Sequence, residues 1–119
     1  HEDMARNFSA YPAKKYYGQS RPDSNIDHRR VPNLMTFFHR HGKSLTVSIE
    51  KKDLIHWLPG DIVVFDLYGR GKPTHIGIIS DRKSPDGAPL VFHHYPPLPS
   101  EDDCLDTWKV IGRYRYMPR

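Results

Sequence analysis

The chain has 119 residues, 37% of them hydrophobic, which suffices for one modest core and is too little for two independent ones. Its 18 basic and 14 acidic residues give a net charge of +4, yet the signs are interspersed and the densest basic cluster, Asp27-His28-Arg29-Arg30, lacks the interleaved aromatics of single-strand binders, so no nucleic-acid partner is expected. No apolar run approaches the roughly 18 to 20 residues of a membrane span, no signal-peptide pattern opens the chain, and the single cysteine, Cys104, excludes an internal disulfide.

The first ten residues have helical composition, with Met4, Ala5 and Phe8 on one side and a stop before Pro12. Because the chain opens on His1-Glu2-Asp3-Met4 rather than an initiator, this segment is expected to be the tail of a longer helix. Residues 13–30 lack periodicity and are rich in Gly, Pro, Ser, Asn and Asp, which predicts a long loop of the kind that often carries function. Val31 to His41 predicts a helix: Pro32 suits the first turn, Leu34, Phe37 and Phe38 share a face, and Gly42 can end it.

Alternation over Leu45-Thr46-Val47-Ser48-Ile49 predicts a short half-buried strand, and Asp53 to Trp57 a helical turn. Strands are then expected at about Asp61 to Leu67, His75 to Ser80 and Leu90 to His94, separated by turn chemistry at Gly69-Arg70-Gly71-Lys72-Pro73 and Ser84-Pro85-Asp86-Gly87. Tyr95-Pro96-Pro97-Leu98-Pro99 predicts a stiff extended loop leading into an acidic segment, Glu101 to Asp106. A last strand, Trp108 to Tyr116, would alternate Val110, Gly112, Tyr114 and Tyr116 against Lys109, Ile111, Arg113 and Arg115. One domain over residues 1–119, of α+β class with helices before an antiparallel meander, is the expected organisation.

His75 and His93 each stand near one end of an apolar strand, and Gly77 strips a side chain from the strand beside His75, a sign of close approach by another group. Two such imidazoles suit a base that activates a nucleophile and a partner that fixes its tautomer. Cys104, the one thiol present, is a poor nucleophile, because Glu101, Asp102, Asp103 and Asp106 around it disfavour the thiolate. Asp27, His28, His75, His93 and His94 are of zinc-ligand type, but no HExxH-like spacing joins them, and neither a metal nor another cofactor is expected.

Several phrases carry a resemblance to a known family: Pro22-Asp23-Ser24-Asn25-Ile26-Asp27-His28-Arg29-Arg30-Val31-Pro32-Asn33-Leu34, Pro59-Gly60-Asp61-Ile62-Val63, His75-Ile76-Gly77-Ile78-Ile79-Ser80-Asp81 and Gly112-Arg113-Tyr114-Arg115-Tyr116. They resemble the YijF-like bacterial domains of unknown function, a family similar to the NlpC-type papain-like cysteine peptidases. The resemblance implies an antiparallel sheet packed against helices, with His75 as general base, His93 as the polar residue on the next strand, and a nucleophilic cysteine on a helix upstream of His1. It further implies a Gram-negative envelope protein, periplasmic or secreted, and an amide-bond hydrolase for which cell-wall peptides are plausible substrates. This chain alone would then be inactive. Asp27, His28, Arg29 and His94 are the candidate substrate-binding residues; relatives tend to carry Asn where His94 stands. A non-catalytic peptide- or glycan-binding module on the same sheet and a metal-dependent hydrolase are the competing expectations.

Overall fold

A computed structural model describes residues 31–95 and 98–116. The helix expected over the first ten residues, the loop expected over 13–30 and the two prolines at 96–97 lie outside the described residues. Helix α1 spans Val31–His41, as its pattern predicts. Its last turn carries the basic residues His39, Arg40 and His41, and the Arg40 cation suits the negative end of a helix dipole. It closes through a 2.7 Å bond from Gly42 N to the Phe38 carbonyl. A side chain at Gly42 would sit 2.8 Å from Phe38 O and 3.1 Å from Arg115 O, so glycine lets the helix end lie against the sheet.

Six strands form one antiparallel sheet: β1 (Lys43–Ser44), β2 (Ile62–Asp66), β3 (His75–Lys83), β4 (Pro89–Tyr95), β5 (Leu98–Asp102) and β6 (Lys109–Arg115), in the spatial order β1-β6-β2-β3-β4-β5. With one helix and a 3-10 segment, Lys51–His56, beside this sheet among the described residues, the class is α+β. β2 lies inside the sheet with all five residues buried, which fits its apolar run Ile62-Val63-Val64-Phe65.

One face holds the larger core, Trp57, Val63, Phe65, Ile79, Val91, Cys104 and Leu105, and the other holds Ile62, Val64 and Tyr114 beneath Met35 and Phe38 of α1. The alternation expected for β6 breaks at a bulge. Val64 pairs with Gly112 but Phe65 pairs with Val110, leaving Ile111 as the extra residue. Val110 thus joins the larger core while Ile111 packs with Tyr114 on the helix side.

The strand expected at Leu45 to Ile49 does not form. Sheet pairing on that edge stops at β1 and the bond from Leu45 N to Arg113 O, because side chains claim the backbone that follows. Arg113 Nη1 donates to Thr46 O at 3.1 Å, Trp57 Nε1 donates to Ser48 O at 3.0 Å, and the Ser48 hydroxyl donates to Asp53 at 2.7 Å. The Arg113 guanidinium also donates to His56 O and lies 4.8 Å from the centre of the Trp57 ring. Asp61 anchors this clamp, accepting from Arg113 Nε at 3.1 Å and Arg115 Nε at 2.8 Å while itself only 1% exposed.

The loop expected at Tyr95 to Pro99 is corrected in the same way: from Leu98 the chain forms β5, with Pro99 opposite His94 and Ser100 opposite His93. Proline is tolerated there because β5 lies at the sheet edge.

Candidate functional site

The position of His75 is set by the hairpin before it. Buried Asp66 ends β2 and accepts bonds from the N–H groups of Tyr68, Arg70 and Gly71, while Gly69 and Gly71 take the positive φ the turn requires, 66° and 74°. Leu67 N donates to Thr74 Oγ1 at 2.9 Å, and the next residue, His75, pairs with Phe65 at the start of β3. Across the next ladder Gly77 pairs with His93, so His75, Gly77 and His93 share one face of the sheet.

On that face the two imidazoles meet. His75 Nε2 lies 2.7 Å from His93 Nδ1, the ring centroids are 5.0 Å apart, and the planes cross at 82°. Both residues are buried, at 8% and 7% exposure, with the Trp108 ring 5.3 Å from His75 and 5.9 Å from His93. The other nitrogen of His93, Nε2, lies 2.7 Å from Asp102 Oδ2 on β5, and the Ser100 hydroxyl donates to the same oxygen. Asp102, His93 and His75 therefore form one continuous hydrogen-bonded line.

The carboxylate assigns the direction of that line. Hydrogen bonds from Ser100 and His93 hold the Asp102 carboxyl below its ordinary value, so it is ionised and can only accept. His93 then carries its proton on Nε2 and, when neutral, accepts at Nδ1, which makes His75 the donor through Nε2. His75 Nδ1 is left as the basic nitrogen. Burial, then the charges of His93 and His94, hold the His75 imidazole below its ordinary value, so it is neutral at neutral pH.

Sequence comparison places the chain in a family. The domain of unknown function DUF1287 matches residues 1–116. The chain belongs to this family. It is 47% identical over 116 residues to "Uncharacterized protein YijF" of Escherichia coli (strain K12), an alignment covering 98% of this chain and 53% of that protein. The chain spans about half the length of this curated relative. No solved structure matches.

In this DUF1287 chain Cys104 lies close to the line but outside its chemistry. Its Sγ is 3.8 Å from His93 Nε2, the nitrogen already bonded to Asp102. Burial first, and then the charges of Asp102, Asp103 and Asp106, push the thiol up to about 11. The charge expected around it acts in the anticipated direction, and burial is the larger effect.

Of the residues expected at the site, His75 and His93 are brought together. His94 follows His93 on β4 and stands on the opposite face, where it borders an apolar cavity of about 330 Å³ with Leu34, Phe38 and Phe92. Asp27, His28 and Arg29 lie outside the described residues. Asp102 is the member that sequence reasoning missed. Its signal was the two-residue step from Ser100 to Asp102, which becomes visible only once this stretch is paired against β4. Among the described residues, no group of three or more His, Cys, Asp or Glu is placed to hold a metal ion, and no helix is long and apolar enough to cross a membrane.

Proposed function

We propose that this domain supplies the base half of a cysteine-type amide hydrolase on a papain-like sheet, with the nucleophilic thiol contributed by the chain upstream of His1. The observation that carries the proposal is the line from Asp102 through His93 to His75, two successive 2.7 Å contacts ending on a buried imidazole. That is the arrangement a general base needs: a neutral imidazole whose tautomer is fixed from behind by a hydrogen-bonded partner.

In the proposed reaction, His75 Nδ1 takes the thiol proton and the resulting thiolate adds to the substrate carbonyl. The proton then passes to the departing amine nitrogen as the C–N bond breaks, leaving a thioester. Water, deprotonated by the same imidazole, cleaves the thioester, and the thiol is restored. Throughout, Asp102 balances the positive charge that forms on the histidine pair. The substrates proposed are peptides, cell-wall peptides among them, and the proposed location is the bacterial periplasm or the exterior.

The test is alkylation of the full-length protein with iodoacetamide as a function of pH, read by peptide mapping, in wild type and His75→Ala. The expected result is a thiol upstream of His1 that reacts as thiolate well below the free-cysteine value of about 8.5 and loses this reactivity in the variant. Reaction at Cys104 alone would overturn the proposal.

A further inference from the structure

The 2.7 Å contact between His75 Nε2 and His93 Nδ1 has room for one proton. The ring centroids lie 5.0 Å apart, close to the largest separation that such a contact allows, so both nitrogens stand almost on the line between the rings and the bridging proton has a near-straight path. Donor and acceptor are the same chemical group, an imidazole with an ordinary value of about 6.5. A carboxylate–imidazole pair is different, because unequal basicity holds its proton on the imidazole. Between two imidazoles the surroundings decide which ring holds the bridging proton.

Those surroundings are unequal. Of the described side chains around the pair, Phe65 on β2, His94 on β4, Ser100 and Asp102 on β5, and Cys104 and Trp108 beyond it, Asp102 carries the negative charge. The Cys104 thiol, pushed up to about 11, stays protonated. Asp102 Oδ2 lies 2.7 Å from His93 Nε2, and His75 is one ring further away. A positive charge is therefore better placed on His93, directly against the carboxylate, than on His75.

We propose that the pair works as a proton relay in which His93, not His75, carries the positive charge. A proton taken up at His75 Nδ1 forms an N–H bond there. The His75 Nε2–H bond breaks, its electron pair stays on Nε2, and its proton forms the His93 Nδ1–H bond. His75 ends neutral with its proton on the other nitrogen, while the His93 imidazolium donates to Asp102 through Nε2 and to His75 through Nδ1. Returning the proton reverses each step. In the proposed hydrolysis this sets the charge of the protonated base against Asp102 rather than beside the thiolate. That use rests on the hydrolase reading, whereas the equilibrium belongs to the pair itself and needs neither the upstream thiol nor a substrate.

The test is a pH titration of the full-length protein, isotope-labelled in both ring nitrogens of histidine and read by long-range proton–nitrogen correlation, which reports the protonation of each nitrogen separately. His75→Gln and His93→Gln assign the signals. On the first proton uptake, His75 Nδ1 and His93 Nδ1 should gain protons and His75 Nε2 should lose its own, with His93 favoured as the charged ring by roughly tenfold or more. Asp102→Asn should lose that preference. Its side chain is 51% exposed, so a wild-type circular dichroism spectrum is expected. Two protonated nitrogens on His75 beside an unprotonated His93 Nδ1, or an unchanged preference in Asp102→Asn, would overturn the proposal. The alkylation experiment fails separately: the expected titration in a protein with no reactive upstream thiol would leave the relay standing and remove the hydrolase, and a reactive thiol above a doubly protonated His75 would do the reverse.

Discussion

Gly77 faces His93 across the β3–β4 ladder, and the space its side chain would fill is already taken: an added Cβ would stand 2.5 Å from Val91 Cγ1, 3.0 Å from Phe92 O and 3.5 Å from His93 Cβ. The Val91 side chain is fully buried and cannot simply swing aside. Gly77→Ala should therefore destabilise the fold by about 1–3 kcal/mol, the usual range for overpacking a filled core. Urea unfolding measures this. Because the displaced strand also carries His93, the proposed hydrolysis by the full-length variant should fall more than the unfolded fraction explains.

Asp102→Asn keeps a group of the same size against His93 and removes its charge. With no carboxylate to favour the imidazolium, protonation of the histidine pair should move to lower pH. The proposed hydrolysis should slow by roughly 10²-fold, the scale of a lost orientation, against roughly 10²–10⁴-fold or more for His75→Ala. A pH–rate profile separates the two variants, since a merely structural defect would lower the rate without moving the acid limb.

Asp61 is 1% exposed and sits between Arg113 and Arg115, both of which donate to it. Asp61→Ala would leave the deeply buried Arg113 guanidinium without its anion and should cost about 3–5 kcal/mol, as breaking a buried pair usually does. Far-UV circular dichroism with urea measures the loss. Replacing Arg115, which is one-third exposed, should cost less.

His75 and Asp61 both give the stability a directional pH dependence. In His75, burial and then the neighbouring histidines lower the folded value below the ordinary 6.5, so just below pH 6.5 the unfolded chain takes up a proton that the fold refuses. Its contribution is complete above 6.5 and is lost as pH falls through the folded value. Asp61 follows the same sign at more acid pH: burial raises its carboxyl, but bonds from Arg115, the Leu58 N–H and Arg113 outweigh this and set it below 3.8. Urea unfolding between pH 7 and pH 5 should show stability falling with pH, with a shallower slope for His75→Gln.

Cys104→Ala removes a buried thiol pushed up to about 11 and takes nothing from the proposed proton path. The full-length variant should keep its hydrolysis rate within about twofold while losing roughly 1 kcal/mol of stability from the small void. A rate loss comparable to that of His75→Ala would instead place this thiol in the reaction.

Sequence patterns made the helix, the 3-10 turn and four of the strands legible, because each rests on local signals: Pro32 and Gly42 at the helix ends, β-branched runs in β2 and β3, and glycines between them. Non-local events were not legible. The run from Leu98 reads as a polyproline-like loop and becomes a strand only because β4 offers it an edge. Leu45 to Ile49 alternates like a strand, but Arg113, far along the chain, captures its backbone. The same division governs the site. His75 and His93 stand out on apolar strands, whereas Asp102 is one of several acidic residues in a row until pairing selects it.

Because β5 is, among the described residues, an outermost strand of the sheet, bonded to β4, the carboxylate that meets His93 belongs to a sheet edge. Local opening of that edge, at a free energy below that of global unfolding, would release Asp102 and Ser100 while β2, β3 and the core beneath His75 stay folded. Amide exchange at Leu98 and at residues 100–102 thus reports directly on how much of the time the imidazole line is intact, and anything that docks beside β5 and slows that exchange would keep Asp102 against His93.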